Sequence, residues 1–297
     1  MIYTIGETVV DLIFKTMQPQ AAKVGGSALN TSVSLGRLGN DVSYISEVGD
    51  DDLGNWCIDF LNQNHVGTQY IIRHKDKKTS LALAFLNERN DAQYSFYKEF
   101  SDVMSSVTIP TNSTDILLFS SSFSLNERVH SCLTSVLQRM RKNDALVMYD
   151  PNMRRAISND STEYSFLQEN LRFADIVRLS DEDAQAIFGT NDVSLVYQEL
   201  AKYDVHVLIY TQNSKDVIVK TPLFTKSYSV PQVAVISTIG AGDTFNAGIL
   251  HCVKNHGVTC SLVKTLPESF YDEAIPFAIA CSGEVCGLLD NYILPRH

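Results

Sequence analysis

The sequence holds 297 residues, 44% of them hydrophobic, enough for one large α/β domain or two small ones. Its net charge of −10 and pI near 5.1 exclude a nucleic-acid partner, so any phosphate bound here is held by local dipoles and a few cations. No run of about 20 apolar residues offers a membrane span. Met1-Ile2-Tyr3-Thr4-Ile5-Gly6 lacks the basic region and apolar run of a secretion signal, which predicts a cytoplasmic protein. The six cysteines show neither CxxC nor metal-ligand spacing and read as reduced and mostly buried.

Residues 2–5 read as a short buried strand, and 9–15, which contains Asp11, as a strand leaving the main sheet. The turn Gly25-Gly26-Ser27-Ala28-Leu29-Asn30 puts glycines ahead of a helix expected over 28–38, with Asn30 in its first turn. A strand follows at 42–48 and a helix over 53–64. Short strands at 70–74, 80–86 and 93–97 are broken by polar turns. This block is β-only, whereas the chain after it alternates strand and helix. An insertion of that kind forms a small separate sheet. With 9–24, the segment 70–99 is expected to be a lid over the main sheet's ligand edge, inside a single domain spanning 1–297.

From Asp115 the alternation is regular: strands at 116–121, 145–149, 176–179 and 205–210, with helices at 126–141 and 194–202. Two late antiparallel strands, 217–219 and 226–230, precede a glycine turn and its helix, and a last helix lies near 272–289. Such alternation predicts a mostly parallel sheet with helices on both faces. Ligands bind such sheets at the C-terminal strand ends, where Asp150, Ser180 and Thr211 stand.

The turn Ser237-Thr238-Ile239-Gly240-Ala241-Gly242-Asp243 runs straight into a small-residue helix. Two glycines let the backbone approach a ligand closely. The helix start aims free N–H groups and a positive dipole end into the turn, which makes an anion site. An aspartate at that mouth suits a different task, taking the proton from a neighbouring hydroxyl. An anion hole beside a general base is what phosphoryl transfer to an alcohol needs. Alone, the turn is equally compatible with a structural turn ending in an N-cap aspartate. The chain has no GxxxxGK[ST] and, with Phe245 in the third glycine's place, no GxGxxG; this argues against a P-loop enzyme and a dinucleotide dehydrogenase.

Together, Gly25-Gly26-Ser27-Ala28-Leu29-Asn30 with Gly39 and Gly49, and Thr238-Ile239-Gly240-Ala241-Gly242-Asp243, resemble the two signatures of the ribokinase-like (PfkB-type) carbohydrate kinases. The resemblance covers essentially the whole chain. Gly6-Glu7, Asp11, Phe96-Tyr97-Lys98 and Asp150-Pro151-Asn152 look most like bacterial fructokinases. It implies a three-layer ribokinase-like α/β fold with a small β-sheet lid, and an ATP- and Mg2+-dependent sugar kinase. Fructose is its implied acceptor, with 2-keto-3-deoxygluconate, ribose or a nucleoside as alternatives, and a non-catalytic sugar sensor as the other class. Asp243 is then the catalytic base, and Gly240, Ala241 and Gly242 the anion hole. Asp11, Gly25, Gly26 and Asn30 clamp the sugar, with Tyr97 and Lys98 from the lid and Asn152 and Arg154 beyond a strand end. Thr211, Asn213, Asp216 and Thr238, with Gly240 and Gly242, take the nucleotide. Bare edges on the lid sheet offer a second copy a place to pair as a homodimer.

Three positions depart from the family's pattern. Ser237 stands where an aspartate helps hold an activating monovalent cation, which predicts weak or no potassium activation. Ser180-Asp181-Glu182-Asp183 replaces Asn-x-x-Glu; its carboxylates can still organise a hydrated magnesium through water, Asp183 by alignment, with Asp181 and Glu182 as alternatives. Thr211-Gln212-Asn213-Ser214-Lys215-Asp216 lacks the nucleotide loop's glycines, but Asn and Asp tolerate left-handed backbone best after glycine.

Overall fold

The computed structural model describes residues 1–86, 92–98, 107–153 and 155–296. Its main sheet has nine strands, in chain order β1 (Ile2–Ile5), β4 (Val42–Gly49), β5 (Val66–His74), β8 (Ile116–Ser120), β9 (Leu146–Asp150), β10 (Ile176–Ser180), β11 (Val207–Thr211), β12 (Val217–Lys220) and β13 (Thr225–Tyr228). In space they run β13-β12-β11-β10-β9-β8-β1-β4-β5. All pairings from β5 to β11 are parallel; β12 and β13 add on antiparallel.

Each central strand serves two cores, which is why it reads as an unbroken apolar run. Ile116 and Leu118 face one core, packed with α1 (Ser27–Arg37), α2 (Asp52–Gln63), α7 (Ala241–Asn255) and α9 (Glu268–Cys286). Leu117 and Phe119 face the other, against α3 (Glu127–Lys142), α4 (Thr162–Leu171), α5 (Asp181–Phe188) and α6 (Val193–Ala201). The register matters for function. It pairs Ser120 with Asp150 and Ser180 with Thr211, so the C-terminal ends of β8 to β11 share one edge.

The second sheet has the order β3-β2-β6-β7, from β2 (Val9–Lys15), β3 (Gln18–Gly25), β6 (Leu81–Leu86) and β7 (Ala92–Tyr97). Its second part begins later than the sequence reading has it. The 70–74 segment belongs to β5, which lies parallel to β4 in the main sheet. The helix α2 between β4 and β5 supplies the crossover that a parallel pair needs. The sequence also hides α4, which starts on a Ser161 cap, and α5, which starts on Ser180. All six cysteines are free, and five are buried. Among the described residues, no helix is long and apolar enough to cross a membrane.

Candidate active site

Two helices start at the ligand edge on glycines. Gly26, the N-cap of α1, has φ 125°, and a Cβ there would stand 2.2 Å from the Glu7 carbonyl oxygen. Gly240, the N-cap of α7, has φ 81°, and a Cβ there would stand 2.1 Å from the Asn291 carbonyl oxygen. Only glycine fits either position without strain. Neither helix has a side-chain cap, whereas α2 to α6 are capped by Asp51, Asn126, Ser161, Ser180 and Asp192. The starts of α1 and α7 therefore keep their dipole ends for a ligand. The Ala241 N–H closes the turn on the Thr238 carbonyl at 3.3 Å.

The two starts are joined through Asp243. Its Oδ1 accepts from Ser27 Oγ at 2.6 Å and its Oδ2 from Asn30 Nδ2 at 2.8 Å. Thr31 Oγ1 donates to the Asp243 carbonyl at 3.0 Å, locking the helices to each other. A carboxylate accepts about four hydrogen bonds, and two of them here come from the first turn of α1. Asn30 is 4% exposed, yet its Oδ1 has no partner among the described residues. A buried orphan acceptor costs about 1–3 kcal/mol, which a ligand hydroxyl would relieve. Asp11 closes the other side of this cradle: a Cβ on Gly25 would stand 2.3 Å from its Oδ2. Asn152, at φ 43°, places Nδ2 3.5 Å from Ser27 Oγ.

Beneath the anion turn lies a charged layer that the sequence reading misses. Arg178, in the middle of β10, presses its guanidinium against Gly242, with Nη1 3.2 Å from the Cβ position. Nη1 donates to Asp150 Oδ2 at 3.2 Å and Nη2 to Thr211 Oγ1 at 2.7 Å, while Nε is buried without a partner among the described residues. Asp150 is fully buried and also accepts from Asn246 Nδ2 at 2.7 Å. Burial pushes its carboxyl up to about 6, with Asp183 and Asp243 adding to the rise and Arg178 and Asn246 opposing it. Burial alone would pull Arg178 down. Asp150, Asp183 and Asp243 outweigh it and hold the guanidinium above its ordinary value. The signal in the sequence is a lone arginine inside an apolar strand, Ile176-Val177-Arg178-Leu179.

The remaining expected residues divide. Thr211 joins the site through Arg178. Asn213 adopts the left-handed backbone, φ 52°, that its loop asks for. Asp216 instead accepts from Ser227 Oγ at 2.8 Å in the β12–β13 hairpin. Lys98 pairs with Glu7, while Tyr97 is 63% exposed. Arg154 lies outside the described residues. Asp183, aligned with the family's magnesium position, is held by protein donors. Its Oδ1 accepts from Met153 N at 2.5 Å, and its Oδ2 from Ser180 N at 2.8 Å and Ser180 Oγ at 2.6 Å. With Ser180 it forms the capping box that starts α5, and each oxygen accepts from a protein donor. Among the described residues, no cluster of three His, Cys, Asp or Glu side chains could hold a metal ion.

The pfkB family carbohydrate kinase model matches residues 1–287. The chain belongs to the pfkB family of carbohydrate kinases. As a carbohydrate kinase it is a phosphotransferase whose acceptor is a sugar hydroxyl. A fructokinase of Vibrio alginolyticus is 26% identical over 273 residues, covering 89% of each chain. The fructokinase of Vibrio cholerae O395, solved with fructose, ADP and calcium, superimposes with a TM-score of 0.84 at 23% identity, over 98% of this chain and 94% of that one. Aminoimidazole riboside kinase of Salmonella enterica reaches 0.80 at 21% identity, over 98% and 94%. The shared fold is that of ribokinase-like kinases.

Proposed function

We propose that this kinase transfers the γ-phosphoryl group of ATP to the 6-hydroxyl of D-fructose, with Asp243 as the general base. The observation that carries this reading is the Asp243 carboxylate, held between Ser27 and Asn30 at the uncapped start of α7. The sugar lies in the cradle of Asp11, Gly25, Gly26 and Asn30. Its hydroxyl gives its proton to Asp243, an O–P bond forms, and the bond from the γ-phosphorus to the bridging oxygen of ADP breaks. The start of α7 and the Arg178 guanidinium receive the charge of the transferring group. Thr211, Asn213 and Thr238 line the nucleotide's path. Magnesium arrives with the nucleotide, and no residue here is assigned to it. The small sheet acts as the lid that excludes water. The expected location is the cytoplasm.

The test is a panel of fructose, ribose, 2-keto-3-deoxygluconate and a nucleoside with magnesium-ATP, read by ADP release, with and without potassium. Fructose should give the highest kcat/KM. Potassium should change it little, because the Ser237 hydroxyl braces the turn by accepting from Ile239 N at 3.2 Å and adds no charge. Sugar binding without ADP release from any acceptor would mark a sensor instead.

A further inference from the structure

The small sheet meets the segment after β1 through Lys98, and the charge it brings is already matched. Its ammonium lies 2.5 Å from Oε2 of Glu7 and 4.3 Å from the ring centre of Phe96. Glu7 follows β1, and its carbonyl oxygen abuts Gly26 and accepts from the Tyr44 hydroxyl at 2.7 Å. The Glu7 backbone therefore flanks the double-glycine turn. The two side chains are 19% and 15% exposed, so solvent screens them weakly. Among the described residues, the other charges at the cradle, Asp11 and Asp243, are negative. Lys23, on β3, turns away to Asp290 at 3.4 Å and to the Leu289 carbonyl. Beyond Glu7, Glu47 pairs with His74 at 2.8 Å. Lys77 and Lys78 line a cavity of about 10 Å³ there, room for one water and not for a phosphate.

We infer that Glu7 is a specificity-determining residue. By matching the charge of Lys98, it leaves a cradle that takes an uncharged polyol and turns away acceptors bearing a carboxylate or phosphate. An anionic sugar would have to compete with Glu7 for Lys98 while facing Asp11 and Asp243. A neutral polyol only exchanges hydrogen bonds with water for those of the cradle. The inference rests on the sugar-kinase reading and adds the charge class of the acceptor and the residue that sets it.

The experiment compares kcat/KM for fructose with that for 2-keto-3-deoxygluconate and for fructose 1-phosphate, both anions that keep a free 6-hydroxyl, in the wild type, in Glu7→Gln and in Glu7→Gln/Lys98→Met. The wild type should favour fructose over both anions by at least about 100-fold. Glu7→Gln should narrow that ratio at least tenfold, through a lower KM for the anions, and the second substitution should remove the gain. Glu7→Ser gives the same arm should Glu7→Gln fail to fold. A ratio that stays fixed while all three activities fall together would make the pair a structural clasp and overturn the inference. So would a wild type that prefers an anion, a result that leaves the kinase reading standing. Transfer to none of the three would sink the fructose reading, and the inference with it.

Discussion

The two sheets of this kinase are built on different rules. In the nine-stranded sheet every residue of β8 and β9 is buried, and Phe119 stacks on Tyr149 with ring centres 4.2 Å apart. In the four-stranded sheet the first five residues of β3 are exposed, and β2 is only partly covered beyond Val10. The first sheet can therefore hold charges where water does not reach, as it does at Asp150 and Arg178. The second meets the site at its margin, through Lys98. On the function proposed above, chemistry falls to the covered sheet and access and selection to the open one.

The largest effect should come from Asp243→Asn. The amide keeps the size and a hydrogen bond to the helix starts but cannot take a proton. Turnover should fall by about 10²–10⁴-fold, the usual worth of a general base. Fructose binding, followed by calorimetry, should persist. Near-normal turnover in this variant would remove Asp243 from the chemistry.

Asp150→Asn should have a smaller effect and a distinctive pH signature. Burial raises the Asp150 carboxyl to about 6. Below that pH it is protonated and Arg178 loses its charged partner, so wild-type kcat should fall as pH drops through about 6. The variant should lack that acid limb and run roughly tenfold slower above it. The same titration acts on stability with the opposite sign. A raised native value means that the folded state binds the proton more tightly. This contribution is complete below the unfolded value of about 4 and is lost as pH rises to about 6. Thermal melts across that window should show the wild type losing stability relative to Asp150→Asn. An acid limb that survives in the variant would belong to another group.

How much of this was legible in the sequence follows from the distance over which each feature is specified. The junctions Gly25–Asn30 and Gly240–Asp243 are local: glycine before an uncapped helix is written in consecutive residues, and so is the carboxylate beside it. That Ser27 and Asn30 hold that carboxylate needs α1 and α7 to pack together across more than 200 positions of sequence. Arg178 meets Asp150 and Thr211 only through strand register, which a single sequence does not display. The main alternation of strands and helices was legible because buried parallel strands are apolar throughout. The 66–74 strand was not. Its register against β4 shifts between Ser43 and Ile45, and the polar turn after it imitates a hairpin. At Asp183 a family position suggests a metal role, and the local backbone also uses the carboxylate as a cap, a use that consecutive residues do not announce.

The smallest effect tests whether the open sheet is energetically separate. Phe14 on β2 stands opposite Phe85 on β6, their rings stacked 5.3 Å apart at the partly covered margin. Phe14→Ala removes a cross-strand aromatic pair worth about 1 kcal/mol or less. For a chain of this size that is a shift of about 2–4 °C or less in Tm. The equivalent deletion in the covered sheet, Phe119→Ala, opens a cavity under Tyr149 and costs about 3–5 kcal/mol. If the open sheet governs access, Phe14→Ala should raise the KM for fructose severalfold while saturated turnover stays within about twofold, since Asp243 and Arg178 do not move. If Phe14→Ala instead lowers Tm as far as Phe119→Ala does, the two sheets melt as one cooperative unit. The division of labour between them would then have no counterpart in stability.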